Sequence, residues 1–266
     1  MAVTPYADSG DVVTASLYDT ATSLMGHYPY GWGRYFYDTS TTGSGWPFYN
    51  PLQESTFFNS KNLRLLPITS IHYQGPHVTQ ANYSLGYDDA QTNLKAVLSS
   101  FGNDAQAFPV VNGEYYTSFA LDSEDDSGPV TVAVEYLHGW VDGMHAGVAD
   151  PNGHVLKGWA GVYNSQGNCG TWITIADMHS EYGYGPDFIY IACWLNSTAF
   201  PPWDEDNCTN TDAPPCNQPI PNTTTLWQYY AGYHVGSSQI DLDEGNPNID
   251  FHAALGQYCP IPPIIT

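Results

Sequence analysis

Short runs of apolar and β-branched residues recur along this chain, and Gly, Pro, Asn or Asp bounds most of them, as is typical of β-strands. We predict eight strands, at residues 12–19, 33–38, 63–68, 116–122, 159–163, 188–195, 225–229 and 239–243. Several of these runs are apolar at almost every position, which is the pattern of strands that are buried on both faces. The strand pattern therefore indicates a parallel sheet.

Apolar residues spaced three and four apart predict helices between some of the strands. Residues 88–101 place their apolar side chains on one face, and residues 129–147 give the clearest helical pattern in the chain. A weaker helix is predicted at residues 171–182, and only loops and two short strands are expected after residue 195. This order predicts an α/β fold, a modified TIM-type (β/α) barrel with a degenerate C-terminal third, in one domain over residues 1–266.

The segment Tyr116-Thr-Ser-Phe-Ala-Leu-Asp122-Ser-Glu124 ends a predicted strand in two acids that are one residue apart. Because side chains alternate faces along a strand, Asp122 and Glu124 should point the same way, roughly 6–7 Å apart. Neighbouring carboxylates repel, so the pKa of one should be raised. A protonated acid beside an ionised one is what cleavage of a glycosidic bond requires. Asp125 and Asp126 follow at once, so a solvated acidic turn is the alternative interpretation.

The composition excludes several classes of protein. Five Lys and Arg against 27 Asp and Glu give a net charge of −22, whereas binding to phosphates needs clustered cations. Nucleic acid and anionic membranes are therefore excluded as partners. Hydrophobic residues make up 42% and aromatic residues 15% of the chain, which is ample for a core and argues against a disordered chain.

The expected location is extracellular. No apolar run approaches the length of about 18 residues that a membrane span needs. The start, Met1-Ala-Val-Thr-Pro, lacks a basic region and an apolar region, which leaves a cytosolic chain or one whose signal peptide has been removed. Four sequons favour secretion and are possible N-glycan sites, although chance also produces them in a chain rich in Asn, Ser and Thr. They are Asn82, Asn196, Asn207 and Asn222.

The five cysteines predict disulfide bonds rather than a metal site. Cys208 and Cys216 flank a short loop rich in Pro and Asn, where we expect a local disulfide. One pair and one free thiol are the simplest expectation for the remaining three, which are Cys169, Cys193 and Cys259. No C-x-x-C spacing indicates zinc, and the glycine in residues 241–250 is misplaced for an EF-hand calcium loop. We expect no metal and no cofactor.

A series of short motifs follows the predicted strands in order. They are Leu17-Tyr-Asp19, Gly33-Arg-Tyr-Phe, Leu65-Leu-Pro-Ile, Phe119-Ala-Leu-Asp122-Ser-Glu124, Gly161-Val-Tyr163, Ile191-Ala-Cys-Trp194, Trp227-Gln-Tyr229 and Ile240-Asp241-Leu. With these motifs the chain resembles the family-25 glycoside hydrolases, the N-acetylmuramidase lysozymes, over about residues 12–244. It more closely resembles their relatives, the glycoside-hydrolase-like domain of unknown function. The resemblance implies a modified barrel of eight strands and about five helices.

The resemblance also implies site residues. Glu124 matches the proton donor to the glycosidic oxygen, and Asp122 matches the acid that steadies a positively charged intermediate made with the substrate's acetamido group. Asp19 matches the acid on the first strand that lines the sugar site, and Asp241 matches the acid that follows Trp-Gln-Tyr. Three aromatic residues offer flat faces to pyranose rings or belong to the core. They are Trp194, Trp227 and Tyr229.

The implied function is that of a secreted glycoside hydrolase that cleaves an acetamido-sugar polymer such as peptidoglycan. Two alternatives are a barrel that binds glycans without cleaving them and a structural protein of an extracellular surface or appendage. The chain departs from the family in lacking most of the basic residues that often hold anionic wall polymers. Residues 43–58 match no part of the family pattern. The segment 196–222 is long for a barrel loop, and we expect it to cap one side of the barrel mouth.

Overall fold

The computed structural model describes residues 4–36, 49–70, 82–125, 128–129, 131–195, 197–203 and 224–247. Twelve strands run through these residues. They are β1 (Thr4–Ser9), β2 (Gly31–Tyr35), β3 (Arg64–Ser70), β4 (Val110–Val111), β5 (Glu114–Asp122), β6 (Glu124–Asp125), β7 (Gly128–Pro129), β8 (Val148–Ala149), β9 (Val155–Ser165), β10 (Phe188–Ala192), β11 (Thr224–Val235) and β12 (Ser238–Gly245).

The same residues contain five α-helices and one short 3-10 helix, Ala105–Ala107. The α-helices are α1 (Ala15–Met25), α2 (Pro51–Lys61), α3 (Tyr83–Ser100), α4 (Val134–Ala146) and α5 (Cys169–Tyr182). Within the described part of the chain no α-helix follows α5, as the strand-rich final third of the sequence predicts. No described helix is both long and apolar enough to cross a membrane.

Eight of the strands close into a barrel. Their order is β5, β3, β2, β1, β12, β11, β10 and β9, and β9 pairs with β5 to complete the ring. All neighbours are parallel except β12, which runs antiparallel to both β1 and β11. Short antiparallel additions extend the sheet at β4 and β8, and β6 and β7 form a separate ribbon. The predicted modified eight-stranded α/β barrel is confirmed.

Alternation along the strands divides the core into two layers. The interior of the barrel is filled by side chains that include Tyr6, Leu66, Ile68, Phe188 and Tyr190. The outer layer packs between the strands and the helices, and its largest buried members include tryptophans from β2, α4, α5 and β11. A polar residue on the inner face of a strand is therefore directed into the barrel and not toward the helices.

The first strand of the barrel is β1, and the prediction of a strand at residues 12–19 is wrong. Those residues enter α1, whose N-cap Thr14 accepts a hydrogen bond from Leu17 N. Leu17, Tyr18, Ala21 and Met25 are its buried residues, which is a helical spacing. The apolar run that reads as a strand is the start of an amphipathic helix.

The two best helical patterns are confirmed with shifted starts. α3 begins at Tyr83, because the side chain of Asn82 accepts a hydrogen bond from Leu85 N and caps the helix. α4 begins at Val134, because Pro129 lies in β7 and pairs with Glu124 of β6. The two helices pack closely through glycines, and a Cβ on Gly139 would lie 2.0 Å from the carbonyl oxygen of Tyr83.

A buried ion pair joins α2 to the barrel. Arg34 donates from Nε to Glu54 Oε2 at 2.8 Å and from Nη2 to Glu54 Oε1 at 3.1 Å, and both side chains are fully buried. The backbone N–H groups of Val13 and Asn50 donate to the same carboxylate, so the charges are well hydrogen-bonded. Arg34 Nη1 also donates to the carbonyl oxygen of Ser9 and holds the end of β1 in place.

The disulfide predictions fall largely outside the described residues. Cys193 is a free thiol. Cys208, Cys216 and Cys259 lie outside the described residues, so the expected pairings stay predictions. Three of the sequons, at Asn196, Asn207 and Asn222, also lie outside, whereas Asn82 is the exposed cap of α3.

Candidate active site

The carboxyl ends of the parallel strands meet at one end of the barrel, which we call the mouth. Barrel enzymes build their sites at this end. The acids at the mouth come from β1 near the start of the chain, β5 in its middle and β12 near its end. Asp8 of β1 is the register partner of Asp241 of β12, and Asp122 of β5 is the partner of Tyr163 of β9.

Asp122 lies at the mouth as the sequence predicts. It is the last residue of β5, only 5% of its surface is exposed, and its Oδ2 accepts a hydrogen bond from Tyr35 Oη at 2.7 Å. Burial and the neighbouring charges of Asp122 and Asp8 raise the pKa of Tyr35 well above its usual range, so the phenol stays a donor. Glu124 follows two residues later in β6, and the orientation of its carboxyl group stays a prediction.

Asp8 and Asp243 share one phenol in the barrel interior. Tyr190 Oη lies 2.5 Å from Asp8 Oδ2 and 2.8 Å from Asp243 Oδ1. Burial raises the pKa of Asp8, while hydrogen bonds and the charge of Arg34 act in the opposite direction. Burial raises the pKa of Asp243 well above its usual range, and the charge of Asp8 raises it further. The two acids therefore have different tendencies to ionise.

Gln228 of β11 connects the two sides of the mouth. Its Nε2 donates to Asp8 Oδ2 at 3.3 Å and to Asp241 Oδ2 at 3.2 Å. Its Oε1 accepts from Tyr163 Oη and from Trp194 Nε1, both at 2.9 Å. Because the whole amide is engaged, Gln228 fixes the two acids relative to the tyrosine and the tryptophan. Trp194 keeps 60% of its surface exposed at this edge and presents its ring to solvent.

The structure does not bring every predicted site residue to the mouth. Asp19 is exposed on α1, and Asp8 is the acid that the first strand carries there instead. Trp227 and Tyr229 are completely buried in the outer layer, where Trp227 Nε1 donates to the carbonyl oxygen of Cys193. These two rings belong to the core and offer no open face to a sugar. Asp122, Asp241 and Trp194 are the predicted residues that the structure joins to the mouth network.

The sequence analysis did not predict two acids of the mouth and the polar residues that bind the acids there. The acids are Asp8 and Asp243, and the other residues are Tyr35, Tyr163, Tyr190 and Gln228. Strand alternation was the available signal, because the residue between Trp227 and Tyr229 must face away from them, into the barrel. The same rule pairs Asp243 with Asp241 on one face of β12.

A second group of ionisable residues lies away from the strand ends that form the mouth. Asp104, Asp150 and His154 offer possible metal-ligand atoms within 4.8 Å of one another, and they are the only such group among the described residues. The carboxylate of Asp150 accepts hydrogen bonds from the backbone N–H groups of Ala105, Asn152 and His154. These hydrogen bonds give Asp150 a structural role, in which its side chain closes a tight turn.

The comparisons with known proteins concern the fold. No family model and no curated protein matches the sequence. Among solved structures, an uncharacterized protein of B. stearothermophilus is 16% identical with a TM-score of 0.60, over 93% of this chain and 98% of that one. A Tat-secreted protein of Mycobacterium tuberculosis is 15% identical with a TM-score of 0.53, over 97% and 98%. A glycosyl hydrolase 25 of Streptococcus pneumoniae is 10% identical with a TM-score of 0.49, over 98% and 94%.

Proposed function

We propose that this chain is a glycoside hydrolase that cleaves a polymer of acetamido sugars, such as peptidoglycan or chitin, at the mouth of the barrel. The observation that carries the proposal is the convergence of Asp8, Asp122 and Asp241 at the end of the barrel where such folds place their sites. A solvated acidic turn does not account for three acids from three different strands that are held by tyrosines and one glutamine.

In the proposed reaction, Glu124 is the general acid and Asp122 is the ionised partner. The oxygen of the substrate's acetamido group forms a bond to the anomeric carbon while the bond to the leaving oxygen breaks. Glu124 gives its proton to that leaving oxygen, and Asp122 stabilises the positive charge on the cyclic intermediate. Water then opens the intermediate and returns a proton to Glu124. The hydrogen bond from Tyr35 holds the Asp122 carboxylate in place.

The substrate-binding role is assigned to Trp194, since its exposed ring is fixed by the bond to Gln228. Flat aromatic faces pack against pyranose rings, and a ring held at one edge loses little freedom on binding. An extracellular location is part of the proposal. It is supported by the strongly acidic composition and the sequons, and a protein of similar fold is described as Tat-secreted.

The test is the loss of hydrolysis in two isosteric variants. Glu124→Gln cannot donate the proton and Asp122→Asn cannot stabilise the positive charge, so each should lose about 10²–10⁴-fold in rate. Reducing ends released from peptidoglycan and from chitin oligomers would be measured over roughly pH 3 to 7, where carboxyl groups titrate. Asp19→Asn is the matched control, because this exposed acid lies on α1 outside the mouth. Full activity in both variants would refute the assigned roles.

A glycan-binding barrel without catalysis is the second candidate, and the exposed ring of Trp194 favours it as well. Wild-type protein that binds these glycans without releasing reducing ends would establish this alternative. Protein that neither binds nor cleaves them, but assembles into ordered polymers, would support a structural role on an extracellular surface.

A further inference from the structure

The hydroxyl group of Tyr190 contacts two carboxyl groups, and its single hydrogen can serve only one of these contacts. Its hydroxyl oxygen lies within hydrogen-bond distance of Asp8 and of Asp243, at 2.5 and 2.8 Å. A phenol carries one hydrogen and can donate to only one of the two carboxyl groups. If both acids were ionised, the other contact would bring two acceptor oxygens together without a hydrogen between them. One of the two carboxyl groups must therefore be protonated.

The surroundings identify Asp243 as the protonated acid. Asp8 Oδ2 accepts from Tyr190 and from Gln228, and the positive charge of Arg34 favours its ionised form. Asp243 is 1% exposed, and its Oδ2 has no hydrogen-bond partner. A buried carboxylate with one oxygen left without a hydrogen bond is far more costly than a neutral acid. The direction of both pKa shifts agrees, since that of Asp243 is raised the more strongly.

We propose that Asp243 is a positioning residue that stays protonated in the working enzyme and, through Tyr190, holds Asp8 as the ionised carboxylate beneath the sugar site. Its Oδ1–H donates to Tyr190 Oη, and the hydroxyl hydrogen of Tyr190 donates to Asp8 Oδ2. The catalytic relevance of Asp8 rests on the proposed function, whereas the protonation of Asp243 rests on the contacts alone. Loss of the Asp243 proton at high pH would leave two repelling charges on one phenol and displace Asp8.

Other ionisable groups face this cluster. They are Tyr35 on β2, Asp122 on β5, Tyr163 on β9, Asp241 on β12 and, from the outer layer, Tyr229 on β11. The charge of Asp241 adds to the preference of Asp243 for its neutral form. On β3 the neighbouring interior residue is the apolar Ile68. The positive charge of Arg34 lowers the pKa of Asp8 and so favours the ionised form that we propose for this acid.

Infrared spectroscopy tests the protonation without any need for activity. The carbonyl band of a protonated carboxyl group should be present in the wild-type protein at neutral pH and lost in Asp243→Asn. The difference spectrum between these two proteins separates the carbonyl band of Asp243 from that of Glu244, a second buried acid whose pKa is raised to about 8. The band should disappear from the wild type at a higher pH. A difference spectrum without this band at neutral pH would overturn the proposal, whether or not the protein hydrolyses glycans.

Binding of a chitin oligomer tests the positioning role. The amide of Asp243→Asn can donate to Tyr190 but cannot ionise, so its affinity should match that of the wild type at neutral pH and persist at alkaline pH, where the wild type weakens. Asp243→Leu removes the donor, and its affinity or KM should worsen by about 10- to 100-fold at every pH, with a smaller change in kcat. Equal alkaline losses of affinity in the wild type and Asp243→Asn would contradict this role. Absence of cleavage by the wild type would count against the proposed function only.

Discussion

Glu244 is a buried acid on the face of β12 opposite to Asp243, and its burial should make the protein less stable as the pH rises. Only 2% of the residue is exposed, and Oε2 has no hydrogen-bond partner. Its register partners are Pro5 and Trp227, neither of which brings a charge. Desolvation raises its pKa from the usual 4.5 to about 8. The acid is therefore neutral in the folded protein at a pH where the unfolded chain has ionised it.

The size of the effect follows from the two pKa values. A group whose pKa is raised on folding contributes fully to stability below its unfolded pKa, and this contribution is lost as the pH rises through its folded pKa. Each pKa unit corresponds to about 1.4 kcal/mol. Between about pH 4 and pH 7, the free energy of unfolding of the wild type should fall by about 3 kcal/mol because of Glu244 alone.

The measurement is urea unfolding of the wild type and Glu244→Gln at both pH values. The amide does not titrate, and its own cost of burial is the same at both pH values. The difference in unfolding free energy between the two proteins should therefore change by about 3 kcal/mol, in favour of the variant at neutral pH. Asp19→Asn is the control, since this acid is exposed on α1. A difference that stays constant from acid to neutral pH would refute the reasoning.

Two further substitutions test other features. Gly139→Ala should lower the free energy of unfolding by about 1–3 kcal/mol, because the new Cβ would force α3 and α4 apart. Thermal unfolding would measure this, with Gly167→Ala as the control, since a Cβ at Gly167 meets nothing within 4 Å. Trp194→Ala should weaken binding of glycan oligomers in calorimetric titrations without a change in the unfolding midpoint, because 60% of the surface of this residue is exposed. Unchanged affinity would show that Trp194 is not part of the proposed sugar site.

Most of the barrel could be predicted from the sequence, because its inner strands are buried on both faces and read as apolar runs. Residues 63–68 and 188–195 correspond to β3 and β10 for this reason. β1 could not be recognised in this way, since its six residues contain a proline, a threonine, an aspartate and a serine. The neighbouring run of Val12 and Val13 reads more like a strand, but Thr14 caps a helix there.

The site was predictable only where it depends on local sequence. Asp122 ends a recognisable strand, so its place at the mouth follows from the barrel alone. Asp8 and Asp243 meet at Tyr190 because β12 enters the barrel antiparallel to β1, and apolar patterns carry no information on strand direction. The hydrogen bond from Gln228 to Asp8 likewise spans 220 positions of sequence.

The antiparallel closing strand has a consequence for biosynthesis. β12 is the piece that fills the gap between β1 and β11, and it also supplies Asp241 and Asp243 to the mouth. A growing chain on the ribosome can build the helices and the parallel strands, but it has neither a closed ring nor a complete site until the last of these strands emerges. Contacts of such long range also form slowly. A nascent or truncated chain that lacks β12 would thus expose the strand edges of β1 and β11, and unpaired strand edges promote aggregation.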